Sequence, residues 1–111
     1  MAALAPAAAA VFAALGDPTR LHLVSQLCRD GPQSIARLTD GTDVSRQAVT
    51  KHLEALADAG LVRSARDGRE RIWTLQTKRL GDARRYLDDI SARWDEAIDR
   101  LRQFVERDRG D

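Results

Sequence analysis

Residues 45–60 read SRQAVTKHLEALADAG, and this stretch decides the fold. It has the form of an amphipathic helix with a marked start and a marked stop. Ser45 offers an N-cap hydroxyl, which accepts a bond from a free backbone N–H of the first turn. Gly60 suits the position just past the end, where a left-handed backbone costs glycine nothing. Val49, Leu53 and Leu56, with Ala48 and Ala57 beside them, recur at helical spacing and make an apolar stripe. Arg46, Gln47, Thr50, Lys51 and Glu54 occupy the other side. All of these but Glu54 carry donors suited to base edges or phosphates. A solvated helix face has the same composition, so the flanks must decide whether this helix reads DNA.

Upstream, residues 7–15 read as a short helix with Val11, Phe12 and Leu15 apolar. Gly16 stops it, Asp17 caps the next helix, and Pro18 takes the first helical position, where its missing N–H costs nothing. That second helix is expected to run from Pro18 to Cys28, with Leu21, Val24, Leu27 and Cys28 facing inward. A third helix is expected over Gln33–Asp40. The turn Gly41-Thr42-Asp43-Val44 then leads into the helix quoted above. Two short helices joined by a tight glycine-containing turn form a helix-turn-helix.

Downstream the apolar period changes from 3.6 to 2. Residues 61–66 and 69–76 read as two strands around Asp67-Gly68, a dipeptide that favours a two-residue hairpin loop. That loop sets Arg66 opposite Arg69, Ser64 opposite Arg71 and Val62 opposite Trp73. Val62, Trp73 and Leu75 then share the core face. Arg66, Arg69 and Arg71 crowd the tip, where like charges repel unless a phosphate backbone meets them. A solubilising tip is the other reading, since Asp67 and Glu70 soften the repulsion.

The last helix is expected over residues 79–107. Leu80, Ala83, Leu87, Ile90, Trp94, Ala97, Leu101 and Phe104 alternate spacings of three and four, a seam along a helix of about 42 Å at 1.5 Å per residue. Tyr86, Ile98 and Val105 widen it. A chain of 111 residues is expected to form one domain, too small to cover such a stripe alone. Val11, Phe12, Leu87, Ile90, Trp94, Ala97, Leu101 and Phe104 are therefore the expected dimer contacts. The DNA-binding core is expected over 7–78, with 79–107 and the helix 7–15 supplying the dimer surface.

Net charge is only +1, but its distribution is uneven. Residues 1–44 hold three Arg against four Asp, residues 45–79 eight Lys or Arg against four Asp or Glu, and residues 80–111 seven Arg against nine Asp or Glu. The positive excess is confined to the middle block, the local basic surface a DNA binder needs. No apolar run is long enough to cross a membrane. The alanine-rich start, MAALAPAAAAVFAALGD, lacks the basic segment of a signal peptide. One cysteine, Cys28, excludes an internal disulfide framework and fits a reducing cytoplasm. No set of nucleophile, base and acid, no phosphate-cradling glycine loop and no metal motif points to an enzyme or a cofactor.

The order helix, helix, helix, recognition helix, hairpin, long helix is a mainly α winged helix-turn-helix with a β-hairpin wing and a C-terminal dimerisation helix. The sequence also resembles the ArsR/SmtB bacterial transcriptional regulators. The resemblance rests on LGDPTRLHLVSQL (15–27), VSRQAVTKHLEALADAGLV (44–62) and RDGRERIWTL (66–75). It implies a homodimeric repressor bound to an imperfect palindrome. The metal sensing of that family does not carry over. Where its thiolate sensors have a Cys-x-Cys pair on the third helix, this chain has Ser34 and Ala36, and its last helix has no histidine. His22, His52 and Cys28 do not converge as a zinc site requires. The resemblance is to the metal-independent members.

Double-stranded DNA and a second copy are thus the expected partners. Ser45, Arg46, Gln47 and Thr50 are the expected readers, Lys51 is the expected phosphate contact, His52 is either a second phosphate contact or a partly buried helix residue, and Arg66, Arg69 and Arg71 are the contacts to the flanking backbone or minor groove. Two alternatives remain at this stage. One is the same repressor answering a ligand in a pocket at the dimer interface, or a redox signal through Cys28. The other is a winged-helix protein-interaction module without DNA.

Overall fold

The computed structural model describes residues 5–109, arranged as five helices and a three-stranded sheet in an elongated body of 74 × 30 × 20 Å. Helix α1 (Ala5–Leu15) is followed by α2 (Pro18–Asp30). The Asp17 carboxylate caps α2, accepting from the backbone N–H of Thr19 at 2.9 Å and of Arg20 at 3.1 Å. The Arg20 N–H is the largest influence holding that carboxyl below its ordinary pKa. Arg20 also donates its Nε–H to the Ala14 carbonyl at 2.6 Å, satisfying an orphan oxygen near the end of α1.

The phase of α2 departs from expectation. Leu23, Val24, Gln26 and Leu27 are its buried residues, whereas Leu21 is 51% exposed and Cys28 is exposed. Leu21 and Leu23 lie on different sides of the helix, and one arc cannot bury both. The helix packs against α1, α4 and β3 at once, and that surround selects Leu23. Cys28 falls on the solvent side as a result.

A short strand, β1 (Gln33–Ser34), precedes α3 (Ile35–Asp40), so the helix expected to start at Gln33 starts two residues later. Ser34 explains the difference. Its Oγ accepts from the Arg37 N–H at 3.3 Å, and its backbone is extended at φ −73° and ψ 161°. An N-cap residue is non-helical, so the chain before it is free to pair as a strand. The buried Gln33 donates its side-chain amide to the Gln26 carbonyl at 3.1 Å.

The turn into α4 (Arg46–Asp58) is pinned from α2. His22 donates its Nε2–H to the Gly41 carbonyl at 2.8 Å. A Cβ on Gly41 would overlap the Gln26 side-chain amide, so glycine is the residue that permits this approach. Ser45 caps α4, accepting from the Ala48 N–H at 3.1 Å. At the other end Gly60 has φ +79°. The N–H of Gly60 bonds the Ala57 carbonyl and that of Leu61 the Leu56 carbonyl, both at 2.9 Å, a Schellman cap.

The hairpin β2 (Val62–Asp67) and β3 (Glu70–Leu75) extends the sheet in the order β1-β3-β2, all antiparallel. Its register differs from the expected one. Asp67 pairs with Glu70, Arg66 with Arg71, Ser64 with Trp73 and Val62 with Leu75. The loop is Gly68-Arg69, not Asp67-Gly68. Gly68 has φ +66° and no non-glycine residue described has positive φ. A Gly-first loop of the II′ kind needs one left-handed residue, and that residue is glycine; an Asp-Gly loop of the I′ kind would also force Asp67 into that region. The shift moves each partner by two residues, so the faces are unchanged. Val62 and Trp73 are buried and Leu75 packs at the core edge, on one face as expected.

Leu23, Leu38, Leu53, Leu56, Leu61, Val11 and Val49 are the largest fully buried side chains. Val11 is 0% exposed within the protomer, so it belongs to this core and not to a dimer surface. Helix α5 (Thr77–Arg109) has 33 residues, about 50 Å of helix. Its first part rests on α1, with Ala83 buried and the Phe12 and Tyr86 rings 6.1 Å apart. Its outer part carries Leu87, Ile90, Trp94, Ile98, Leu101, Phe104 and Val105 as exposed apolar residues.

Candidate nucleic-acid interface

Helix α4 is fastened on one side and open on the other. Val49, Leu53 and Leu56 are each 0% exposed, while Arg46, Gln47, Lys51 and Glu54 are exposed and Thr50 is half-buried. Arg46, Gln47, Thr50, Lys51 and Glu54 line one open face. The Thr50 hydroxyl donates to the Arg46 carbonyl at 2.9 Å, which leaves its lone pairs free to accept. Ser45 is exposed too, but its Oγ already serves the helix as a cap.

A second cleft, lined by Ser34, Ile35, Ala36, Arg46, Arg66, Arg69, Glu70 and Arg71, joins the start of α3, the start of α4 and the wing. Arg46 belongs to both surfaces. The expected readers and the expected wing arginines thus border one continuous region. The sheet explains why they meet. Pairing of Ser34 with Ile72 brings the start of α3 to the middle of β3, beside Arg71. The Arg71 guanidinium stands 5.8 Å from the Trp73 ring centroid, a cation–π contact that rests the charge on a buried aromatic. Arg66 lies directly opposite Arg71, and Asp67 opposite Glu70, so like charges face each other twice at the wing. Such pairs destabilise a free hairpin.

Other expected residues are placed differently. His52 is half-buried, with Nδ1 4.0 Å from Asp17 Oδ1 beside the cap of α2. On α5, Trp94 is 66%, Leu101 63% and Phe104 65% exposed, with Leu87 and Ile90 also bare. Phe12 and Ala97 are partly exposed. Sequence reasoning missed Ser34, Ile35 and Ala36 as cleft residues. The signal was Ser34 itself, a cap residue directly before Ile35-Ala36-Arg37-Leu38.

Among the described residues no group of three or more His, Cys, Asp or Glu is placed to hold a metal ion, and no helix is long and apolar enough to cross a membrane.

Comparison with known proteins bears on the same region. A family model described as a helix-turn-helix domain matches residues 15–65. The chain is 34% identical over 92 residues to the HTH-type transcriptional repressor SmtB of Mycobacterium tuberculosis, covering 83% of this chain and 66% of that one. Among solved structures, an ArsR-like transcriptional regulator from Rhodococcus sp. RHA1 superposes with a TM-score of 0.76. The two are 39% identical, covering 89% of this chain and 92% of that one. The homodimeric winged helix-turn-helix DNA-binding domain of Mb0332 from Mycobacterium bovis, a possible ArsR-family regulator, superposes with a TM-score of 0.63 at 25% identity, covering 86% of this chain and 84% of that one.

Proposed function

This chain belongs to the ArsR/SmtB family of winged helix-turn-helix transcriptional regulators, and we propose that it acts as a homodimeric repressor reading an imperfect palindrome in the major groove. The observation that carries the reading is the double membership of Arg46, which borders both the open face of α4 and the arginine cleft of the wing. Arg46 forks to guanine O6 and N7 and Gln47 to adenine N6 and N7, the bidentate pairings their side chains allow. Lys51 holds a phosphate. Arg66, Arg69 and Arg71 follow the flanking backbone, whose phosphates relieve the repulsion across the wing. The name of the Mycobacterium bovis relative supports the homodimer, and so does the bare seam of α5. A two-fold dimer sets the two copies of α4 about 34 Å apart, one turn of DNA. Occupation of such a site excludes polymerase, which is repression by obstruction in the cytoplasm.

The test is selection of bound duplexes from a random pool, followed by mobility shift on the recovered sequence. A two-fold-symmetric site is expected. A protein that retains no duplex above background at low salt would overturn the reading.

A further inference from the structure

We propose that Glu54 is a specificity-determining residue, accepting a hydrogen bond from a base amino group in the operator and rejecting duplexes that lack one there. The inference rests on the DNA-reading function proposed above. Glu54 is the one acidic residue among the five that line the open face of α4. It is exposed and forms none of the ion pairs within 4.0 Å found among the described residues, although Lys51 stands three positions before it. Its charge is therefore directed outward, not spent on a neighbour.

Helical geometry sets where that charge goes. Glu54 is seven positions beyond Gln47, about two full turns, so it lies on the same line as Gln47, about 10 Å further along the axis. The major groove is about 12 Å wide. With α4 lying along the groove, a pose that brings Gln47 to base edges carries Glu54 along the same groove. There a carboxylate has two kinds of neighbour. Phosphates repel it, and so do the acceptor edges of guanine and the thymine carbonyl. The exocyclic amino groups of cytosine and adenine donate to it, and cytosine N4 is the pairing its acceptor-only chemistry suits best. The cations Arg46 and Lys51 attract any duplex; the one carboxylate then penalises most of them.

The experiment compares the full-length protein with Glu54→Gln and Glu54→Ala on two duplexes of equal length and composition. One is the duplex selected by the unaltered protein, and the other is its scrambled version. Glu54 is exposed, so unchanged thermal midpoints are expected and confirm that the variants are folded. The preference of the unaltered protein for the selected duplex should fall about tenfold in both variants, chiefly through tighter binding of the scrambled duplex. Single-base changes across the site should show discrimination lost at one C·G or A·T pair per half-site. Equal tightening on both duplexes would overturn the proposal, since Glu54 would then act only as bulk charge. No change on either duplex would overturn it as well. If the unaltered protein fails to distinguish selected from scrambled DNA, the DNA-reading function itself falls, and that result is separate from a variant that keeps the preference intact.

Discussion

Helices α4 and α5 carry apolar stripes of the same kind and treat them in opposite ways. The stripe of α4 is 0% exposed at Val49, Leu53 and Leu56, sealed by its own protomer. The stripe of α5 is sealed only where it meets α1, and from Leu87 outward it stands open, with Trp94 66% exposed. Sealing one stripe fixes a polar face in space, ready for a foreign molecule. The other is left open as an apolar patch of the kind that marks a contact surface, the one we propose a second copy covers.

The contrast can be broken by substitution. Leu53→Ala should have the largest effect, removing about 2–5 kcal/mol of folding stability, read from the denaturant midpoint; DNA binding should fail with the fold. A Leu53→Ala protein of unaltered midpoint would show that α4 is not sealed as described. Trp94→Ala should act on assembly instead. A buried aromatic at an interface centre is worth about 2 kcal/mol or more, so sedimentation at low concentration should show monomer while the fold survives. Persistence of the dimer there would mean that the open seam is not what joins the copies.

On the polar side of α4, Arg46→Ala or Gln47→Ala should cost about 1–3 kcal/mol and relax base preference at one position per half-site. Arg69→Ala should weaken every duplex alike and reduce the salt slope by about one. If the two classes of variant exchanged behaviours in a base-by-base binding profile, the division between reading helix and wing would be wrong. The smallest effect is expected at Asp17→Ala, which removes the cap of α2. The Asp17 carboxyl is held below its ordinary pKa, first by the Arg20 backbone N–H and, with smaller weight, by the charge of His52. A depressed carboxylate pKa stabilises the fold above its unfolded value of about 3.9, and that contribution is lost as pH falls through the folded value. The difference in thermal midpoint between the protein and the variant should therefore be present at neutral pH and vanish in acid.

Which features could be read beforehand follows from how local their causes are. The ends of α4 were legible because Ser45 and Gly60 act within a turn of themselves. The wing was legible as a hairpin, and its faces were right, because side chains alternate whatever the loop. Its pairing was not, since Asp67-Gly68 and Gly68-Arg69 both make two-residue loops and the choice depends on which residue takes positive φ. Strand β1 was hidden because two residues carry no period and pair only with a strand nearly forty positions away. Leu21, Cys28 and Val11 went astray for one reason. Periodicity shows that a helix has an apolar side, but what lies against that side is decided by the rest of the fold.

The two residues of β1 have a mechanical meaning. They bind the start of α3 to β3, while His22 holds the turn before α4. Helix-turn-helix and wing are thus tied together within one protomer, and these links set the offset between α4 and the hairpin. If the proposed seam joins the copies, any play in the distance between half-sites would come from how the two α5 helices seat on each other.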